Sequence, residues 1–150
     1  MSKRIKLKKD NYLDSTSIVH GNKMLSNIIN KLTQDTGWVK LTLTNGTNAN
    51  GWKPVVARRK GNVVQITGAV KGLEREWQPI LTLPEEFRPN FYRAENEGVS
   101  TFQYITPCIN NPKHTQCLNL SAGGVLNVTT VFGRTLSIND EIQLDITYLV

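Results

Sequence analysis

Val55-Val56-Ala57-Arg58-Arg59-Lys60-Gly61-Asn62-Val63-Val64-Gln65-Ile66-Thr67-Gly68-Ala69-Val70 is the stretch that decides the fold class. Two apolar-rich runs flank a Gly-Asn pair, the composition of a tight two-residue turn, so the segment reads as a β-hairpin. Val64, Ile66 and Gly68 share one face of its second strand, and Val63, Gln65, Thr67 and Ala69 share the other. Gly61 and Gly68 supply backbone freedom at turns and bulges.

Strand signals continue on both sides. Upstream, Gly37 to Thr44 mixes Trp38, Leu41 and Leu43 with Lys40, Thr42 and Thr44, the pattern of a half-buried strand, and Asn45-Gly46 turns the chain. Trp38, set in a strand, is expected in core or interface packing. Thr47 to Gly51 reads as a polar loop. Downstream, Pro79 to Leu83 is a strand stopped by Pro84, and Pro84 and Pro89 frame a loop whose Phe87 tucks inward. Val99 to Ile105 and Gln116 to Leu120 are shorter strand candidates. Ala122-Gly123-Gly124 leads into a strand over Val125 to Phe132. Glu141 to Val150 closes the chain with nearly unbroken alternation: Ile142, Leu144, Ile146 and Tyr148 on one face, Gln143, Asp145 and Thr147 on the other. Such a strand is expected at or near the centre of a sheet. Many short strands between frequent turns mean an all-β fold, an antiparallel β-sandwich of jelly-roll type or a barrel.

Before the β region, residues 22–36 carry a helical pattern. Asn22 is placed to cap the first turn and Gly37 to end the last. Leu25, Ile28, Ile29 and Leu32 recur at spacings of three and four and draw one apolar stripe. A helix of about a dozen residues is marginal alone in water. Its stripe must bury against its own β domain or against the same helix of sister subunits. Three parts follow: a basic N-terminal attachment segment over 1–21, a short helix over 22–36 and a β-sandwich head over 37–150.

The net charge of +6 is concentrated in Lys3, Arg4, Lys6, Lys8 and Lys9. A basic arm suits nucleic acid or an acidic surface, or a peg into a partner protein. The remainder is close to neutral, which argues against nucleic-acid binding by the β region. No apolar run approaches the roughly 20 residues of a membrane span. The N-terminus lacks an apolar secretory core, so synthesis in a cytosol is the expectation. Cys108 and Cys117 are too few for a disulfide framework, and with His114 they fall short of a metal's ligand set, so two reduced thiols are expected and no metal.

Catalytic patterns are weak. Glu85 and Glu86 are adjacent, as are Asp140 and Glu141, and neighbours on an extended chain diverge where glycoside hydrolysis needs convergence. There is no Gly-x-Ser-x-Gly elbow and no phosphate-binding loop. A non-catalytic protein without cofactor is the expectation.

The stretch from Gly37 to Pro89 resembles the C-terminal domains of tail-tip and baseplate receptor-binding proteins from phages of Gram-positive bacteria. The resemblance rests on Gly37-Trp38-Val39-Lys40-Leu41-Thr42-Leu43-Thr44-Asn45-Gly46, Arg59-Lys60-Gly61-Asn62-Val63, Gly68 to Gly72, and Thr82-Leu83-Pro84-Glu85-Glu86-Phe87-Arg88-Pro89. Asn11 to His20 is similar to the start of such structural proteins. Glu86 stands where Gly is common in the last motif, and Phe87 replaces Tyr. The resemblance implies a homotrimeric β-sandwich head that attaches a virion to host cell-wall saccharide, or a baseplate piece that holds such heads. Other tail proteins would dock through the N-terminal segment, and Leu25, Ile28, Ile29 and Leu32 would form a three-fold neck.

Saccharide sites pair an aromatic platform, for the C–H faces of the sugar, with planar polar side chains for its hydroxyls. Trp52, Trp77, Tyr92, Arg93, Asn111 and His114 are the candidates in expected loops, with Glu95 and Asn96 nearby. Trp77 has Glu74, Arg75 and Glu76 beside it. Its alternative role is to close the end of the sandwich, and Asn110 to His114 reads equally as a plain polar loop.

Overall fold

A computed structural model describes residues 5–6, 12–13, 15–49, 51, 54–89, 101–132 and 135–150. The chain divides into two compact units, Met1–Gln34 and Asp35–Val150.

In the first unit, β1 (Ile5–Lys6) pairs antiparallel with β2 (Tyr12–Leu13), Ile5 opposite Leu13 and Lys6 opposite Tyr12. The helix α1 spans Ser15–Thr33. It therefore starts seven residues before the expected position 22 and stops three short of 36. Asn22 and Gly21 lie inside it rather than at its cap. Ile18 lies seven residues before Leu25, so the apolar stripe begins a turn and more earlier than its densest part suggests. One interior glycine, costing about 1 kcal/mol relative to alanine, does not break it. At the other end, Asp35 forms a bridge with Lys60, and the Thr36 N–H donates to the Arg59 carbonyl at 3.0 Å. The sheet thus captures the residues that would have continued the helix. Met24, Leu25, Ile28 and Ile29 are exposed along α1.

The second unit is built from β3 (Val39–Lys40), β4 (Thr47–Asn48), β5 (Val56–Lys60), β6 (Val63–Lys71) and β7 (Gln78–Thr82). A 3-10 turn over Glu85–Phe87 follows, then β8 (Thr101–Cys108), β9 (Asn111–Ser121), β10 (Val125–Phe132) and β11 (Ile142–Leu149). Among the described residues these strands form one antiparallel sheet, ordered β3-β5-β6-β11-β8-β9-β10-β7, with β4 on β6.

The sheet curls because β11 is a full partner on one side and a brief one on the other. All eight of its residues pair with β6, from Ile142 opposite Val70 to Leu149 opposite Val63, but only Ile142 pairs with β8, opposite Cys108. Two leaves therefore part beyond that point and fold over a common core. Val64, Ile66, Ile142, Leu144 and Ile146 from one leaf meet Ile80, Leu81, Leu118, Leu120, Leu126 and Val128 from the other. Each such side chain contributes about 1.5–3 kcal/mol by leaving water. Register shifts at Leu126/Asn127, Val128/Thr130 and Pro107/Cys108 add bends to the second leaf. The result is a half-barrel of jelly-roll-like sandwich form.

The far edges are tied together by the segment after β3. Leu41 N–H donates to Val55 at 2.9 Å, Leu43 bridges Leu81, and Thr44 N–H donates to Ile80 at 2.8 Å. The segment changes partner from β5 to β7 as it crosses the core, which is why only two residues of the expected Gly37–Thr44 strand form a regular ladder. Two further expectations are corrected. Thr47 and Asn48 of the expected polar loop pair with Lys71 and Val70. The β8–β9 hairpin is longer than its two short candidates, turning at Ile109-Asn110, so Asn111 to His114 belong to a strand.

The Gly61-Asn62 hairpin, the buried Phe87 and the inward face of the last strand are as the pattern requires. Tyr148 is buried at the foot of β11, and its hydroxyl donates to the Phe87 carbonyl at 2.5 Å, fastening the Pro84–Pro89 loop to the central strand. Burial pushes the Tyr148 phenol pKa up, with Tyr104 adding to it. Gly68 sits where β6 passes from its β5 partners to β4, at φ 144°, and a Cβ there would stand 2.8 Å from the Val55 Cα.

Three substitutions check this architecture by chemical denaturation. Gly68→Ala should destabilise by about 2–4 kcal/mol, combining backbone strain with overpacking. Tyr148→Phe should cost about 1–2 kcal/mol, because the Phe87 carbonyl loses its donor in a dry place. Gly21→Ala has open space around its Cβ position and should raise helix stability by about 0.5–1 kcal/mol.

Candidate functional site

The outer face of β5 and β6 carries a mixed row of side chains that the pairing register sets side by side. Arg58, Gln65 and Thr147 are mutual partners across three strands, and Lys60, Val63 and Leu149 form the next row. Val39 opposite Ala57 brings Trp38 level with Arg58. The Arg58 guanidinium carbon lies 5.9 Å from the centre of the Trp38 ring, within cation–π range. Trp38 is 49% exposed, so it lies on the surface of the single chain. Of the two expected roles, core or interface packing, the core role does not hold: β3 faces Trp38 away from the buried Ala57 side of β5.

Asp35 holds this arrangement from the side. Its two carboxylate oxygens accept from Arg58 Nε at 2.9 Å and Nη2 at 2.5 Å, and Oδ1 also accepts the Gly37 N–H at 2.9 Å. The Arg58 hydrogen bond first, then the Gly37 N–H, hold the Asp35 carboxyl well below the usual carboxylate range, and the Arg58 pKa rises further. Beside the pair, Arg58, Lys60, Val63 and Gln65 line an open cleft of about 310 Å³. That is the lower end of small-ligand pockets, room for about one sugar ring.

Trp77 occupies a second exposed position. Its φ of 61° is left-handed, unusual for a bulky residue, and its side chain is 68% exposed. Hydrogen bonds of the backbone and of the Gln78 side chain hold the turn there. The Trp77 N–H donates to Val128 at 2.7 Å, and Gln78 Oε1 accepts from the N–H groups of Glu74 at 2.8 Å and Arg75 at 3.3 Å. A strained, exposed aromatic fixed by its surroundings is the kind of feature found at binding sites.

The other sequence candidates are placed apart. Val128 lies opposite Leu118, and His114 is four residues along β9, about 13 Å of extended chain from that point. The His114 Nδ1 and both amide atoms of Gln116 are buried without a hydrogen-bond partner among the described residues. Asn111 pairs with Cys108 at the hairpin end. Trp52, Tyr92, Arg93, Glu95 and Asn96 lie outside the described residues. In the neck stripe, Leu25, Ile28 and Ile29 are exposed, and Leu32 lies within α1. Cys108 and Cys117 are free, buried thiols. No group of three or more His, Cys, Asp or Glu side chains able to hold a metal occurs among the described residues.

The pairing of Asp35, Trp38 and Arg58 was not readable beforehand. It depends on the β3–β5 register, and Asp35 lay in the expected end of the helix. Arg58 in a strand beside a hairpin turn carried no signal of a partner 23 residues upstream.

No family model matches the chain, and no curated protein matches it closely. Among solved structures, the receptor binding protein (gp15) of Listeria phage PSA is similar in fold, with a TM-score of 0.57 and 19% sequence identity, over 89% of this chain and 77% of that one. The likeness in fold is thus to the same class of protein that the Gly37–Pro89 motifs resemble.

The Asp35–Arg58 pair has a definite pH behaviour. Because the folded carboxyl is the stronger acid, its contribution is complete above the ordinary carboxylate pKa of 3.8 and fades only as pH falls toward the lowered folded value. The Arg58 Nε–H resonance should therefore keep its hydrogen-bonded shift at pH 3.8, where an unpaired carboxyl is half protonated, and Asp35→Asn should move it at every pH.

Proposed function

We propose that this chain is a non-catalytic receptor-binding protein of a phage tail tip or baseplate, attaching the virion to host cell-wall saccharide. The likeness of fold to a phage receptor binding protein over 89% of the chain is the observation that carries this reading. The exposed aromatic positions support it, since a sugar needs a ring face beside planar polar groups. Trp77 is the exposed ring among the described candidates, with Trp52, Tyr92, Arg93, Asn111 and His114 as the remaining assigned contacts.

In this reading the protein is a homotrimer. Leu25, Ile28, Ile29 and Leu32 form the seam of a three-helix neck, which would bury the exposed Leu25, Ile28 and Ile29. The basic N-terminal segment docks other tail proteins. A purely structural baseplate role is the second reading. It is favoured by the separation of Met1–Gln34 as a unit of its own, carrying most of the surplus charge.

Two measurements test these statements. The purified chain should co-sediment with cell-wall fragments of a susceptible Gram-positive strain, and free wall saccharide should compete. Assembly into particles with no affinity for any wall would favour the structural reading. The mass in solution should be that of a trimer and should fall to a monomer when Ile28 and Leu32 are changed to Glu. A monomeric wild type removes the neck.

A further inference from the structure

We propose that the cleft on the outer face of β5 and β6 is a binding subsite for an anionic sugar unit, one that bears a phosphate or carboxylate. The inference deepens the attachment reading and rests on it for its biological meaning. The site is on the opposite side of the sheet from the core and was assigned no ligand by the sequence patterns.

Four properties select this ligand chemistry. First, Trp38 offers a half-exposed ring next to Arg58, one of the residues that line the cleft, and Arg58 fixes its position from one side. Second, the planar amide of Gln65 is exposed on the cleft wall, a donor and acceptor pair suited to vicinal hydroxyls. Third, the charge around the cleft has a cationic surplus. Asp35 is taken up by Arg58, whereas the exposed Lys60 at the cleft lip forms no ion pair among the described residues and acts on Asp35 only as the weakest of its cationic influences, and Lys40 lies two rows away opposite Val56. Asp145, opposite Thr67, is the acidic side chain on the same outer face of β11. Fourth, the Asp35 bond uses Arg58 Nε and Nη2 and leaves Nη1 to donate. A neutral sugar would use the ring and the amide but leave the Lys60 ammonium unmatched. A bare anion would use the ammonium but neither the ring nor the amide.

The volume of about 310 Å³ admits one ring and its charged substituent, so the site is a subsite for a polymer whose chain runs on past the cleft. The cleft also lies on the rigid hairpin of the sheet rather than on a loop, so the contacts are set before the ligand arrives. Preorganisation of this kind reduces the ordering cost of binding.

The test uses the full chain labelled with 15N, titrated with glucose 6-phosphate, glucuronate, glucose and inorganic phosphate. The Trp38 indole N–H and the Lys60 and Gln65 amides should shift saturably with at least one of the two acidic sugars. Affinity for glucose and for phosphate alone should be weaker by about tenfold or more, roughly the worth of one charge-assisted contact. Lys60→Glu, a surface change, should abolish the shifts, and Trp38→Ala should weaken binding of the acidic sugar. Absence of shifts at these groups overturns the proposal. So do equal affinity for inorganic phosphate, equal affinity for glucose, or an unchanged affinity in Lys60→Glu. Binding to wall fragments separates this site from the broader reading. Full wall binding by Lys60→Glu sinks the subsite and leaves attachment standing. Acidic-sugar shifts at Trp38 in a wild type that binds no wall support the subsite and sink attachment.

Discussion

The placement of the last strand is the constraint on which the rest of the molecule depends. β11 is the last of the described strands in chain order, yet it lies between β6 and β8, pairing along its whole length with β6 and through Ile142 with β8. Its inward residues Ile142, Leu144, Ile146 and Tyr148 fill the space between the two leaves, and its brief contact with β8 lets those leaves part and fold over. An edge left open at β6 would expose unpaired backbone groups along eight residues, which is both costly and adhesive. The Tyr148 hydroxyl then carries the same strand's influence to the Pro84–Pro89 loop. Because β11 pairs with β6, it also sets the outer rows in which Thr147 joins Gln65 and Leu149 joins Val63. The core and the candidate surface are two faces of one register.

Local signals made part of this legible in the sequence. Gly61-Asn62 marks its hairpin because both residues tolerate the turn, and the alternation from Ile142 to Tyr148 survives because one face is wholly buried. Phe87 is framed by prolines that leave little doubt about the loop. What escaped depends on partners distant in sequence. Leu41 to Thr44 trade β5 for β7, and no local pattern encodes a change of partner. The strand candidates Val99 to Ile105 and Gln116 to Leu120 fell short of the β8–β9 hairpin, whose ladder continues past a register shift at Pro107/Cys108 that no local pattern marks. The helix begins earlier than position 22 because Asn22, a residue type that caps a first turn, lies inside it instead. It was read too long at its end because Asp35 and Thr36 satisfy helical propensity as well as sheet pairing.

The surface followed the same division. Composition identified aromatic residues as the groups to watch but assigned Trp38 to core or interface packing, since a Trp in a strand is more often packed than displayed. Only the pairing of Val39 with Ala57 shows that it faces outward, over an arginine already committed to Asp35. Trp77 was visible as a candidate by its charged neighbours, while its left-handed backbone was not, because φ is not written in composition. An antiparallel sheet with one dry face and one displayed face is well suited to attachment: the dry face fixes the scaffold, and the displayed face varies without disturbing it.

Attachment to a bacterial surface through a rigid, catalytically inert sheet is the central claim. The most direct measurement is the binding of the fluorescently labelled full chain to intact Gram-positive cells of a susceptible strain, before and after periodate oxidation of their surface sugars. The account predicts saturable labelling that oxidation removes, with the bound saccharide recovered unaltered. Absence of labelling on every susceptible strain, labelling indifferent to oxidation, or release of cleaved saccharide would contradict it.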